Sequence, residues 1–257
     1  MILIKTGEEI ELIKASNELV SRTLAEVAKS VAPGITTRSL DRIAETYIRD
    51  HKGEPGFLGY NGYPATLCTS VNEVVVHGIP SDYFLREGDI LSVDCGVMLN
   101  GYFGDSAYTF SVGEITMEKL NLMNCTKESL FKGIEKAVSG NRLGDIGCAI
   151  QQHAEDSGYS VVREMVGHGI GKQLHEEPEV PNYGKRGHGI KLREGMTICI
   201  EPMINFGSRY IEQDPDGWTI RTRDRKPSAH YELAIAICRE QARILSTFSY
   251  IEEVLNQ

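Results

Sequence analysis

Residues 86–108 read REGDILSVDCGVMLNGYFGDSAY, and how they fold decides the architecture. Asn100-Gly101 between apolar residues is the strongest short-range hairpin signal, because the favoured two-residue turn needs a left-handed backbone at both central positions. With that turn, Leu99 pairs with Tyr102 and Gly96 with Asp105. Side chains alternate faces along a strand, so Asp94, two residues from Gly96, shares a face with Asp105. The two aspartates then sit diagonally, roughly 7–8 Å apart at the backbone, close enough for their carboxylates to reach a shared ion. An even separation across the turn would put them on opposite faces. The plain alternative is two solvated strand aspartates. Asp is depleted in strands, however, and Ile90-Leu91-Ser92-Val93 reads as a buried strand leading into Asp94.

The same stretch recurs. Arg86-Glu87-Gly88 through Asp94 echoes Arg193-Glu194-Gly195 through Glu201 at an offset of 107 residues. Upstream, Pro33-Gly34 and a helix from Thr37 echo Ser139-Gly140 and a helix from Gly144 at an offset of 106. His77-Gly78-Ile79 and His168-Gly169-Ile170 repeat at a different offset. These echoes predict a duplicated helix–helix–strand unit whose ligand strands meet near a pseudo-twofold axis. Two copies are too few for a solenoid.

Around this core the chain reads as one α+β domain over residues 1–257, with no Pro/Gly/Ser linker. Apolar Ile10, Ile13, Val20, Leu24, Val27 and Val31 recur at helical spacing, which predicts a helix over Thr6–Val31. It opens with a Thr6/Glu9 capping box and is closed by Pro33-Gly34. Further helices are expected over Thr37–Asp50, Met117–Val138 and Gly144–Asp156. Strand signals fill 65–110 and 161–238.

Composition sets outer bounds. At 257 residues, 41% hydrophobic and 25% charged, the chain can bury a large core. A net charge of −9 argues against a nucleic-acid surface. The six cysteines have no CxxC spacing and mostly apolar contexts, which reads as reduced thiols in the cytosol. Met1-Ile2-Leu3-Ile4 is too short for a secretion signal or a membrane span.

Three more hard ligands lie in strand-like or glycine-rich contexts: His168 in VGHGIG, Glu201 in ICIEPM and Glu232 in SAHYELA. With Asp94 and Asp105 they make four carboxylates and one imidazole, without a thiolate. That donor set suits two divalent ions such as Mn²⁺, Fe²⁺ or Co²⁺, and a closely spaced ion pair makes a hydrolytic centre.

At this point the chain resembles the type I methionine aminopeptidases, of the pita-bread metallopeptidase fold. The likeness covers nearly the whole sequence. It is carried by Gly59-Tyr60-Asn61-Gly62-Tyr63-Pro64, by Asn72 to Pro80 with His77-Gly78-Ile79, and by Gly167 to Gly171. His175-Glu176-Glu177-Pro178, Ile200-Glu201-Pro202-Met203, Asp216-Gly217-Trp218-Thr219 and Ser228 to Glu232 complete it. The resemblance implies an antiparallel curved sheet covered by helices, and removal of the initiator methionine from nascent proteins with a small second residue. It implies that Asp94 chelates one ion, that Asp105 and Glu232 bridge both, and that His168 and Glu201 complete the other. Glu201 would also move the proton, His175 would bond the scissile carbonyl, and His77 would contact the peptide nitrogen or the P1′ backbone. Phe57, Tyr60, Tyr63, Cys68, Leu174 and Trp218 would form the methionine slot. Phe57 stands where a small residue is common, and Leu174 where Phe is. Asn72, Val74 and Ser228 match a site for Na⁺ or K⁺. The implied partners are N-terminal peptides and a transient ribosome contact, met by a monomer. An Xaa-Pro peptidase of the same fold and a non-catalytic peptide-binding relative are the alternatives; the first would carry a large N-terminal domain, the second would have lost ligands.

Overall fold

The computed structural model describes residues 1–256. Five α-helices are present among them: α1 Gly7–Ala28, α2 Thr37–Asp50, α3 Met117–Ile134, α4 Leu143–Asp156 and α5 Ser249–Leu255. The Thr6 hydroxyl accepts the Glu9 N–H at 3.2 Å and the Glu9 carboxylate accepts the Thr6 N–H at 2.9 Å. That is the expected capping box. Helix α1 stops at Ala28, short of Val31, because the Ser30 and Val31 N–H groups turn back three residues, to the Val27 and Ala28 carbonyls. Helix α3 likewise ends at Ile134, before Val138, as Lys136 and Ala137 bond to Gly133 and Ile134. Such tightened turns are a common helix ending. Helix α5 was not expected; Ile251 is its one buried residue, so its sequence carries little amphipathic signal.

The strands, in chain order, are β1 Glu54–Pro55, β2 Leu67–Val71, β3 Val74–Val76, β4 Ile90–Leu99, β5 Tyr102–Ser111, β6 Ser160–Val161, β7 Gly167–Gly169, β8 Glu176–Val180, β9 Thr197–Ile200, β10 Met203–Asn205, β11 Ile211–Gln213, β12 Ile220–Thr222, β13 Ser228–His230, β14 Glu232–Ala236 and β15 Arg243–Ile244. The main sheet runs β1-β4-β5-β14-β9-β7-β8, with β2 also on β4 and β15 on β14. Its pairings are antiparallel. The β4–β5 register has Leu99 opposite Tyr102 and Gly96 opposite Asp105, and Asn100 and Gly101 adopt φ of 53° and 78°. This is the hairpin read from the sequence.

The duplication is visible bond by bond. Gly34 N–H donates to the Leu85 carbonyl, and Gly140 N–H to that of Leu192. Thr36 bridges Phe84 as Arg142 bridges Lys191. Gly88 donates to Val112 as Gly195 donates to Ile237. The sheet order is symmetric about the β5–β14 seam, with β4 outside one and β9 outside the other. One face of the sheet is apolar: Leu91, Val93, Cys95, Val97, Ile198, Ile200, Leu233 and Ile235 pack in one cluster with Leu19, Val20 and Leu24 of α1, Leu40 and Ile48 of α2, Leu130 of α3 and Ile146 of α4. The alternate residues face the other way. Among the described residues no helix is long and apolar enough to cross a membrane.

Helix α1 lies directly on β5. A Cβ on Gly104 would stand 2.5 Å from the Asn17 nitrogen and 2.6 Å from the Ser16 carbonyl carbon. Gly104→Ala should therefore cost about 1–3 kcal/mol of stability, measured by denaturant unfolding. An unchanged midpoint would show that α1 can slide away from β5.

Candidate metal centre

The inner face of the sheet carries two cross-strand rows. In the first, Cys68 pairs with Asp94, Asp94 with Ala107, and Ala107 with Glu232; Leu233 pairs with Ile200, which sets Glu201 beside Glu232. In the second, Gly96 pairs with Asp105, and Ser106 opposite Leu233 puts Asp105 beside Ala234, which pairs with Cys199. Opposite Cβ atoms in such a ladder are about 4.5–5.5 Å apart. Two alanines between the acids leave open space for their carboxylates. His168 enters from β7, next to Gly169, which pairs with Ile198.

The five sequence-derived ligands therefore converge. Ligand atoms of Asp105, His168 and Glu232 lie within 4.8 Å of one another, together with the Cys199 thiol. His168 Nε2 is 3.7 Å from an oxygen of Asp105 and 3.7 Å from one of Glu201. Asp94 lines the same cavity, on the ladder row that runs through Ala107 to Glu232. His168 Nδ1 lies 2.9 Å from the Gly169 carbonyl. A ring donating there leaves the Nε2 lone pair facing the acids, as a metal ligand requires. Asn182 Nδ2 donates to the Glu201 carbonyl at 3.0 Å, and Asn17 Oδ1 accepts the Asp105 N–H at 3.1 Å.

These residues fit divalent cations on a further ground. Asp94 Oδ1, Asp105 Oδ1 and Glu232 Oε1 are buried without any hydrogen-bond partner. Buried acceptors left unpaired are costly, and a cation satisfies all three. Burial pushes every one of the carboxyl groups up, and mutual repulsion adds to it at Asp105, Glu201 and Glu232. Burial raises Asp94 to about 7. Burial, then Glu232 and Asp94, raise Asp105, while burial, then Asp94 and Asp105, raise Glu201. Burial, then Glu201 and Asp94, raise Glu232. Burial, then His175, hold His168 down at about 3, so its ring is neutral.

Above the acids lies a cavity of about 270 Å³ lined by Phe57, Tyr60, Asn61, Tyr63, Cys68, His77, Leu174, His175 and Trp218 with Asp94, Asp105, His168, Glu201 and Glu232. Phe57, Tyr63, Cys68 and Leu174 form one apolar cluster, against which Tyr60 and Trp218 pack. Tyr63 stands edge-on to Trp218, with ring centroids 5.1 Å apart, and its hydroxyl donates to the Leu67 and Gly78 carbonyls at 3.0 and 3.1 Å. Asp216 Oδ1 accepts the Trp218 and Thr219 N–H groups, both at 2.8 Å, which sets the turn presenting Trp218. Phe57 fills the space over Gly96, where a Cβ would stand 2.5 Å from its ring.

Two histidines flank the opening. His77 holds φ of 58°, a left-handed backbone rarely adopted by side-chain-bearing residues. Burial lowers it to about 4. His175 is exposed at the mouth, its Nδ1 2.9 Å from the Tyr60 hydroxyl, and partial desolvation lowers its pKa. Its loop is anchored by the buried Lys5–Glu176 ion pair and by the Phe103 N–H to Gly171 carbonyl bond at 2.8 Å.

Sequence reasoning missed two neighbours, Asn61 in the lining and Cys199 beneath it; His230, next to the Glu232 strand, stands behind the acids with its Nε2 3.8 Å from a Glu201 oxygen. Cys199 was legible, because it lies two residues before Glu201 and so shares its face. Asn72 and Val74 line a separate cavity. The Ser228 N–H donates to the Asn72 carbonyl at 2.9 Å, and the Lys119 ammonium donates to Asn72 Oδ1 at 3.0 Å and to the Gly88 carbonyl at 2.6 Å.

The raised carboxyls generate a linkage test. A group whose folded pKa lies above its unfolded value stabilises at low pH, and that stability is lost as pH rises through the folded value. Without metal, the centre should destabilise the fold as pH climbs from the ordinary carboxylate range to about 7, the value for Asp94. Divalent ions displace those protons. The gain in Tm on adding Mn²⁺ to chelated protein should therefore grow steeply between about pH 5 and pH 8. Thermal scans at matched ionic strength check it; a pH-independent gain would contradict the picture.

The chain matches the description "Metallopeptidase family M24" over residues 11–237. It is 51% identical over 247 residues to the methionine aminopeptidase of Clostridium acetobutylicum, covering 96% of this chain and 99% of that one. It is 46% identical over 246 residues to methionine aminopeptidase 1 of Bacillus subtilis, with coverage of 96% and 99%. The crystal structure of methionine aminopeptidase from Rickettsia prowazekii superposes with a TM-score of 0.95 at 40% identity, over 96% of this chain and all of that one. With a pita-bread sheet, converging carboxylates and relatives of that identity along nearly its whole length, the chain belongs to the M24 metallopeptidases, within their methionine aminopeptidase branch.

Proposed function

We propose that the protein removes the initiator methionine from nascent chains whose second residue is small, using two divalent ions held by Asp94, Asp105, His168, Glu201 and Glu232. One observation carries the reading: the buried acids, three histidines and an apolar slot line a single cavity. Residues 1–257 act in this reading as one catalytic domain. Bound there, Mn²⁺, Fe²⁺ or Co²⁺ supplies Lewis-acid polarisation and lowers the pKa of water.

The protein's own groups do the rest. The Phe57, Tyr63, Cys68, Leu174 and Trp218 slot takes the unbranched methionine side chain. Glu201, whose burial favours holding a proton, takes one from the attacking water and passes it to the leaving amine as the C–N bond breaks. A neutral His175 that accepts the Tyr60 O–H at Nδ1 carries its proton on Nε2. That N–H bonds the scissile carbonyl oxygen, where charge develops. His77 meets the leaving residue, so a large P1′ side chain clashes with the wall it forms. The partners are N-terminal peptides, met in the cytosol by a monomer in transient contact with the ribosome.

His175→Ala should lower turnover about 10²–10³-fold with metal content intact, whereas Asp105→Ala should lose metal. Turnover assays paired with metal analysis read both, and a His175→Ala protein without metal would reverse the assignment of roles. The substrate test is a peptide panel varying the first two residues at matched metal loading. Met-Ala and Met-Gly peptides should be cleaved and Met-Lys and Met-Phe spared. Leucine at the first position should be poorer by about 10–200-fold, the reach of one shape mismatch in an apolar pocket. Formyl-methionine should resist, since the formyl group ties up the amine lone pair. Cleavage of Xaa-Pro bonds whatever the first residue would overturn the methionine reading.

A further inference from the structure

Cys199 has no part in the hydrolytic reading, yet it sits at the centre. It lies on β9 two residues before Glu201, and its cross-strand partner Ala234 separates it from Asp105. Its thiol is fully buried and lies within 4.8 Å of ligand atoms of Asp105, His168 and Glu232, each of those four residues being buried. Asp105 Oδ1 and Glu232 Oε1 have no hydrogen-bond partner. Neither other nearby thiol is in this group: Cys95 packs into the apolar cluster under the helices, and Cys68 belongs to the cavity wall. One sulfur, one imidazole nitrogen and two carboxylate oxygens form a four-coordinate donor set of the kind that soft or borderline ions take, whereas Mn²⁺ prefers oxygen and nitrogen in higher coordination.

The geometry points to a second metal-binding mode of this centre, in which one thiophilic divalent ion, Zn²⁺ or Cd²⁺, is held by Cys199 Sγ, His168 Nε2 and one oxygen each from Asp105 and Glu232. It rests on the reading of Asp105, His168 and Glu232 as ligands. On binding, the S–H bond breaks, its proton passes to solvent and a sulfur–metal bond forms, with nothing oxidised or reduced. The ion draws Asp105 and Glu232 to the Cys199 side. Both acids are then committed to one ion, and the two-ion hydrolytic arrangement cannot form. Zinc or cadmium in this mode is an inhibitor that selects against itself as the working metal.

The experiment titrates the full metal-free chain with Cd²⁺ and reads the ultraviolet thiolate-to-cadmium charge-transfer band, with cadmium X-ray absorption to identify the neighbours. The wild type should give a band saturating at one equivalent, with one sulfur in the first coordination sphere. Cys199→Ser should abolish the band and weaken Cd²⁺ and Zn²⁺ binding relative to the wild type, while Mn²⁺ stoichiometry is kept. Cys68→Ser should retain the band. A wild type that binds Mn²⁺ but shows no cadmium–sulfur neighbour overturns the second mode alone. So does a band that survives in Cys199→Ser. A wild type that binds neither ion at these residues overturns the proposed metal centre together with this mode. The wild-type X-ray absorption decides the matter even where a variant fails to fold.

Discussion

Placing four carboxylates on one buried sheet face is the constraint on which the rest of this structure depends. Two like charges 4 Å apart repel by about 4 kcal/mol at the effective dielectric of a protein site, and here Asp105, Glu201 and Glu232 each feel two other acids of the cluster. The acids cannot be kept together by one another. They are kept by β4, β5, β9 and β14, whose opposite face is packed into the main apolar cluster beneath the helices. Three of the five also have a brace: the Gly169 carbonyl for His168, Asn182 for the Glu201 backbone and Asn17 for that of Asp105. A site built on paired strands holds its ligands more tightly than one built on loops, and cations are the natural complement of the charge it gathers.

Duplication explains how one sheet comes to carry the set. Strands β4 and β9 are the repeated pair, and Asp94 and Glu201 are equivalent residues at the offset of 107. The seam strands β5 and β14 hold Asp105 and Glu232, closest to the axis. The symmetry is then broken for chemistry. Ser92, equivalent to Cys199, is satisfied by the Thr109 hydroxyl at 2.8 Å, whereas Cys199 faces the acids. On the second half β7 delivers His168 to the centre, while β2 on the first half delivers Cys68 to the slot wall. Two copies of one frame thus produce a hard donor cluster, an apolar slot and a single thiol.

What was legible in the sequence was local or repeated. The β4–β5 register followed from Asn100-Gly101, because turn chemistry fixes register without help from the rest of the fold. The capping box at Thr6 and the offset between Gly34 and Gly140 were equally short-range facts. The illegible features join distant segments: the Tyr60 hydroxyl on His175, the Lys5–Glu176 anchor, and the Asn17 and Asn182 braces. No periodicity encodes these pairs. Cys199 is a different kind of miss. Period-2 alternation placed it on the face of Glu201, but grouping the cysteines by their apolar contexts concealed the position. The helix ends at Val31 and Val138 were overshot because apolar spacing continues into turns whose hydrogen bonds have already tightened.

The apolar slot and the floor of acids beneath it are not independent parts. Gly96, whose missing side chain makes room for Phe57, pairs with Asp105 in the β4–β5 ladder. Cys68, in the slot wall, pairs with Asp94. Slipping β4 by one residue would turn Asp94 and Gly96 into the helix-packed core and bring Val93, Cys95 and Val97 to the cavity. The slot would lose its wall in the same step as the floor lost an acid. The seat of Phe57 over Gly96 is therefore set by the register that also sets Asp105, with Leu174 in the same apolar cluster. The backbone that carries the acids cannot shift to suit the slot without moving the donor set with it.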